Sequence, residues 1–222
     1  MTNSIKKQYG FYVDTTKCTG CKACHIACKD RQSNLLRKMD YSTQGVPTLD
    51  GVTWRRVYEY GGGSWSKDKD GCFQQDVYAY YNSIGCNHCS EPVCVSSCPT
   101  GAMHKRAEDG FVHVASELCI GCESCASACP YDAPKLDVER KIMTKCDGCY
   151  DRVKEGLKPV CVESCPMRAL DFDEMDILVE KYNGGDSHVA PLPPESVTRP
   201  NLIVKANPLA AVGGQILNNK EV

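Results

Sequence analysis

The chain has 222 residues, is 42% hydrophobic and 24% charged, and carries a formal net charge of -2; it is long enough to bury a core without covalent staples. With 26 Lys+Arg against 28 Asp+Glu it has no basic excess for nucleic acid, and no run of about 18 uncharged apolar residues to cross a bilayer. Its 17 cysteines stand two or three residues apart in a chain too long for a secreted miniprotein, so they point to metal rather than to a disulfide framework.

In chain order, MTNSIKKQYG has neither a twin-arginine pair nor an apolar signal core, and is expected to belong to a chain made and loaded in the cytosol. Tyr9 to Val13 is a strand-like run leading into CTGCKACHIAC, where Cys18, Cys21, Cys24 and Cys28 form a first quartet and Ala23 to Lys29 is a short helical stretch. Residues 31–85 break the pattern with two β-rich runs, VTWRRVYEY and FQQDVYAYY, parted by Gly61-Gly62-Gly63 and a charged loop. They predict an inserted antiparallel pair. CNHCSEPVCVSSCP supplies Cys86, Cys89, Cys94 and Cys98, with four residues rather than two before its third cysteine. Asp109-Gly110 predicts a hairpin turn between Ala102 to Lys105 and Phe111 to Val114. CIGCESCASACP supplies Cys119, Cys122, Cys125 and Cys129; CDGC and, after eleven residues, CVESCP supply Cys146, Cys149, Cys161 and Cys165. From Asn183 onward APLPPESVTRP and a loose finish predict an extended tail of the kind that lies along a partner.

Sixteen of the 17 cysteines thus fall into four ferredoxin-type groups of four. Three cysteines at i, i+3 and i+6 wrap a loop whose thiolates converge on one cube, while the fourth faces away and, in two-cluster ferredoxins, ligates the other cluster. Pro99, Pro130 and Pro166 follow the last cysteine of groups two, three and four and turn the chain away; Lys29 stands there in group one. Four 4Fe-4S clusters are therefore expected. Each oxidised core on four thiolates adds about two negative charges, roughly -10 in all, so the basic residues read as compensation for buried clusters. Zinc is the competing reading, and group four alone resembles a zinc ribbon, but a tight CxxCxxCxxxC quartet is too crowded for one tetrahedral ion. Exchange of the fourth cysteine requires the groups to pair. Spacing permits two with three and one with four, or one with two and three with four.

From YGFYVDTTKCTGCKAC through WRRVYEYGGGSW, AYYNSIGCNHC, CPTGAMHKR, DGFVHV, MTKCDGCYDRV and VCVESCPMRALDF to the Pro-rich tail, the chain closely resembles the four-cluster electron-transfer subunits of bacterial dimethyl sulfoxide reductases. The resemblance implies an α+β fold of nested two-cluster ferredoxin-like units with an antiparallel β insertion and an extended C-terminal tail. Its parts would be an outer unit (1–30 and 140–182, clusters one and two), the β-rich insertion (31–85), an inner unit (86–139, clusters three and four) and the tail (183–222). It implies cluster one on Cys18, Cys21, Cys24 and Cys165, and cluster two on Cys28, Cys146, Cys149 and Cys161. Cluster three would take Cys86, Cys89, Cys94 and Cys129, and cluster four Cys98, Cys119, Cys122 and Cys125. Related nitrate reductase subunits place Trp where Cys122 stands and hold a 3Fe-4S centre, so Cys122 implies a fourth full cubane of lower potential.

The implied partners are a molybdopterin catalytic subunit reducing S- or N-oxides, near clusters one and two, and an integral membrane anchor oxidising menaquinol, near cluster four. The implied address is the periplasmic face of the inner membrane, reached folded on the catalytic subunit's signal, with a role in anaerobic respiration. No nucleophile with a base, phosphate loop, or pterin or flavin fingerprint is present, so the chain is expected to conduct rather than catalyse. The equivalent wire of a formate dehydrogenase or polysulfide reductase, and a soluble polyferredoxin carrier, are the alternatives.

Other residues have simpler expectations. Cys72 stands outside the groups as a small unligated residue. His88, inside CNHC, is read as a hydrogen-bond donor to sulfur rather than a ligand. His104, Lys105 and Arg106 are expected on the surface near cluster four, as a docking or proton-releasing face or simply a solvated one. Tyr58, Tyr60, Tyr78, Tyr80 and Tyr81 are read as packing faces of the β pair.

Overall fold

The computed structural model describes residues 6–36, 53–183, 192–219 and 222; expectations for the first five residues and for stretches 37–52 and 184–191 lie outside them. Strand β1 (Tyr9–Asp14) is buried at five of its six residues, because it lies between two neighbours. It pairs antiparallel with β10 (Leu170–Glu174), Phe11 opposite Phe172, and parallel with β11 (Leu202–Lys205), Phe11 opposite Leu202. Side chains alternate along a strand, so Phe11, Val13, Phe172 and Val204 enter the main core while Tyr12 and Ile203 close the other face against Leu178 of helix α6 (Met175–Lys181). The extended tail therefore lies along its own chain: β11 is a third strand with Leu202, Ile203 and Val204 all at most 4% exposed.

The insertion forms a second sheet. Strands β2 (Arg56–Gly62) and β5 (Tyr78–Ile84) pair antiparallel along their whole length, and β12 (Gln215–Ile216) of the tail adds to the free edge of β2. Tyr60 lies opposite Tyr80 with rings stacked at 5.1 Å, both buried, and Tyr58 stacks on Tyr60 at 6.2 Å. These rings pack, as their alternation predicts. FQQDVYAYY is two strands rather than one: β4 (Phe73–Gln75) pairs with β3 (Trp65–Lys67) in a separate exposed hairpin. The break comes where Asp76 Oδ1 accepts from the Ser64 amide at 2.6 Å beside Gly63, whose φ of +83° and whose absent Cβ, which would lie 2.3 Å from the Asp76 carbonyl oxygen, require glycine.

Helix α1 (Ala23–Leu36) outruns the expected stretch and enters the insertion. The inner part holds two small hairpins, β6 (Met103–Lys105) with β7 (Val112–Val114) and β8 (Lys135–Asp137) with β9 (Ile142–Thr144). The first hairpin has a wider loop than a two-residue turn, closed by Arg106 N–H to Phe111 O at 2.8 Å with Gly110 at φ +71°. Short helices α2 (Val93–Ser96) and α3 (Ser124–Ala128) pack on these hairpins around Met103, Val112 and Met143; α4 (Tyr150–Lys154) and α5 (Val160–Glu163) complete the set among the described residues. Mixed small sheets and short helices make an α+β fold.

Candidate metal centres

Three groups share a CxGC turn, and Gly20, Gly121 and Gly148 adopt φ of 70°, 66° and 70°. This left-handed step is easy only for glycine and curls the loop around its sulfurs. At the same place in CNHC stands His88, at φ 43°, in a region that costs a side-chain-bearing residue about 1–2 kcal/mol. Contacts hold it there. His88 Nδ1 accepts from the Val112 amide at 3.0 Å, its ring packs 4.8 Å from Phe111 and 6.5 Å from Phe11, and it is 1% exposed. Burial drives its pKa well below the ordinary histidine range. The expected bond from His88 to sulfur is not made; Nε2 has no partner.

The cysteines gather across groups. Cys18, Cys21 and Cys24 share one cavity with Cys165, between Val57, Ser83 and Leu170. Cys86, Cys89 and Cys94 share a second with Cys129. Cys28 is held well above the ordinary thiol range by burial and then by Cys161, Cys146 and Cys149 around it. Cys125 is pushed up to about 11 by burial, then by Cys119 and Cys98, and Cys98 also faces Cys122. Groups one and four thus interleave, as do two and three. Cys72 stands apart, exposed on the β3–β4 hairpin.

Donors converge on these sulfurs. Backbone N–H groups of Met103, Met143, Gly148 and Ala169 reach Sγ of Cys98, Cys119, Cys146 and Cys165 at 3.4, 3.3, 3.4 and 3.3 Å. Hydroxyls of Ser83 and Ser124 lie 3.2 and 3.4 Å from Sγ of Cys24 and Cys122. Among the described residues no set of three or more His, Cys, Asp or Glu converges on a single metal ion. Four thiols gathered around one cavity are costly to ionise together unless a cationic core lies between them, and an all-thiolate set with amides aimed at sulfur suits an iron-sulfur core.

Buried cations surround the sites, and spacing gave no sign of them. Lys105 is half-buried rather than a surface docking residue: Nζ donates to the carbonyls of His88, Cys89 and Gly110 at 3.0, 2.9 and 2.6 Å. Arg106 pairs with Asp109 at 2.9 Å and lies over the Tyr150 ring, leaving His104 as the exposed member of the trio. Lys145, 4% exposed, donates to the carbonyls of Val112 and Cys146. Arg55 is 3% exposed and donates to Ser83 O at 3.0 Å.

Comparison with known proteins agrees with this chemistry. A family model described as a 4Fe-4S dicluster domain matches residues 77–175, and one described as a 4Fe-4S binding domain matches 15–37. The B subunit of the anaerobic dimethyl sulfoxide reductase of Haemophilus influenzae is 54% identical over 208 residues, 94% of each protein. The corresponding B subunit of Escherichia coli is 51% identical over 97% of this chain and 98% of its own. The formate dehydrogenase-O iron-sulfur subunit of Escherichia coli is more distant, 34% identical over 72% of this chain and 51% of its own. Identity of this order along nearly the whole length places the chain in the family of anaerobic dimethyl sulfoxide reductase B subunits, as a non-catalytic iron-sulfur electron-transfer subunit.

Proposed function

We propose that the chain holds four 4Fe-4S clusters in a row and relays electrons from a menaquinol-oxidising membrane anchor to a molybdopterin subunit that reduces dimethyl sulfoxide or related S- and N-oxides. The ligands are Cys18, Cys21, Cys24 and Cys165 for the first centre and Cys28, Cys146, Cys149 and Cys161 for the second. Cys86, Cys89, Cys94 and Cys129 serve the third, and Cys98, Cys119, Cys122 and Cys125 the fourth. The outer unit (1–30 and 140–182) carries the first two and the inner unit (86–139) the others.

One observation carries the reading as a wire. The first quartet exposes Cys21 and the fourth exposes Cys122, whereas no cysteine of the second or third is exposed. Two open ends with a sheltered middle suit a path that receives at one face and delivers at another. Bound iron-sulfur clusters supply reversible one-electron chemistry. The chain's own residues hold the thiolates, donate N–H groups to them and exclude water from the inner quartets. The fourth quartet faces the anchor and the first faces the catalytic subunit, at the periplasmic side of the inner membrane. Support for these partners comes from the relatives, which are B subunits of dimethyl sulfoxide reductases. No described helix is long and apolar enough to cross a membrane, so attachment falls to the anchor.

Anaerobic purification from the native host, with iron quantitation and identification of co-purifying chains, tests this. The expected result is about sixteen iron atoms per chain, from four cubanes, with a molybdopterin subunit and a membrane subunit. About twelve with one zinc would overturn the four-cluster reading, and a formate dehydrogenase catalytic chain would overturn the acceptor.

A further inference from the structure

Arg55 precedes β2, and its buried side chain lies near cysteines of the first two quartets. The guanidinium is 3% exposed, lies 4.7 Å over the Phe11 ring, and donates from Nη1 to Ser83 O at 3.0 Å. The Ser83 hydroxyl is in turn 3.2 Å from Cys24 Sγ. Gly85 packs beside it, with Arg55 Cζ and Nε at ordinary contact distance, 3.5 Å, from where a Cβ would stand. Burial opposes the charge, but Cys161, Cys24, Cys146 and Cys28 around it hold its pKa above even the ordinary arginine value. Cys24 belongs to the first quartet and the other three to the second. No carboxylate is among these principal partners, so the buried cation faces sulfur from two sites at once.

We infer that Arg55 is a positioning residue that sets the reduction potentials of the first and second centres together, by fixing one permanent positive charge near both. The inference rests on the cluster assignment above. Reduction adds a negative charge to a cluster, and a cation held nearby in a low-dielectric interior stabilises that form and raises the potential. Arginine suits the place because it stays protonated and spreads its donors in a plane. Neutralising it lowers both potentials, and by more than those of the third and fourth centres.

The test is a redox titration followed by electron paramagnetic resonance on the assembled holo complex, comparing wild type with Arg55→Met, Arg55→Gln and Arg55→Lys. Iron is quantified first in the wild type. Fewer than four centres there would overturn the cluster assignment itself, separately from the role of Arg55. With full iron load, the expected result is that two of the four signals move furthest to lower potential in Arg55→Met and that Arg55→Lys returns both most of the way. Four unmoved signals, or four that shift alike, would overturn the inference. Should Arg55→Met lose iron, Arg55→Gln, which keeps a donor for Ser83 O without the charge, decides by the same two outcomes.

Discussion

The ammonium of Lys105 donates a hydrogen bond to the carbonyl oxygen of Cys89 at 2.9 Å, tying the β6–β7 hairpin to the loop of the second cysteine group. The same nitrogen serves His88 O and Gly110 O, and so pins the turn in which His88 is held at positive φ. Lys105→Met takes a donor from all three carbonyls; His88 O keeps Asn201 Nδ2 at 2.7 Å and Gly110 O keeps Gln8 Nε2 at 3.3 Å, so the Cys89 carbonyl bears the main loss. A destabilisation of about 1–3 kcal/mol is expected, the cost of one buried group left unpaired. Iron content should fall with it. A variant with unchanged thermal melting and full iron would remove the bracket role.

Interleaving predicts which cysteine variants share a phenotype. Cys18→Ala and Cys165→Ala should each abolish the same paramagnetic signal and remove about four iron atoms per chain, one cubane. Cys28→Ala and Cys161→Ala should share the loss of a different signal. If Cys161→Ala and Cys165→Ala instead behaved alike, sequence neighbours would share a centre and the pairing of groups one and four would fall.

Two glycines at the same φ separate strain from crowding. Gly148 and Gly101 both sit at φ +70°, but a Cβ on Gly148 lies 2.6 Å from the Phe111 ring, which is 0% exposed, whereas a Cβ on Gly101 meets nothing within 4 Å. Gly101→Ala should cost only the backbone term, about 1–2 kcal/mol. Gly148→Ala adds overpacking of about 1–3 kcal/mol, with loss of iron from the second quartet. Equal melting temperatures for the two variants would contradict this.

Asp171 accepts from Lys158 Nζ, from Lys181 Nζ at 2.7 Å and from the Tyr182 hydroxyl at 2.7 Å. Burial alone would raise its pKa, but these donors together hold the carboxyl well below the ordinary carboxylate range. A lowered folded pKa means the contribution is complete above the unfolded value of about 3.9 and is lost only as pH falls through the lower folded value. Asp171→Asn should cost about 1–2 kcal/mol, because both lysines are half-exposed and partly screened. The gap in melting temperature between the two proteins should be the same at pH 7 and pH 5. A gap that changes between pH 7 and pH 5 would mean a folded carboxyl titrating in that range, above the ordinary value, and would contradict the lowered pKa.

The cysteine groups, β1 and the β6–β7 hairpin were legible in the sequence because their signals are local: fixed spacing, alternation and an Asp-Gly turn. The gathering of Cys165 with Cys18 was not, since spacing allowed two pairings and only the resemblance chose between them. Leu202–Lys205 gave too short an apolar run to mark a buried strand, and its partner is at the opposite end of the chain. His88 at a glycine's place, and Lys105 turned inward, were hidden for a related reason. What holds them is distant in sequence: Val112 and Phe111 for the histidine, and the carbonyls of His88 and Cys89 for the lysine.

The placement of β11 beside β1 also orders the birth of the protein. Synthesis proceeds from the N-terminus, and on the proposed assignment the third and fourth quartets draw on residues 86–129 alone. They are complete on the ribosome well before Cys161 and Cys165 emerge. Cys18, Cys21 and Cys24 are made first, yet they wait for Cys165, and β1 waits longer still for Leu202–Lys205 to cover its open edge. The earliest thiols are thus the last whose partner in the cavity is made, a delay of most of the chain between Cys18 and Cys165.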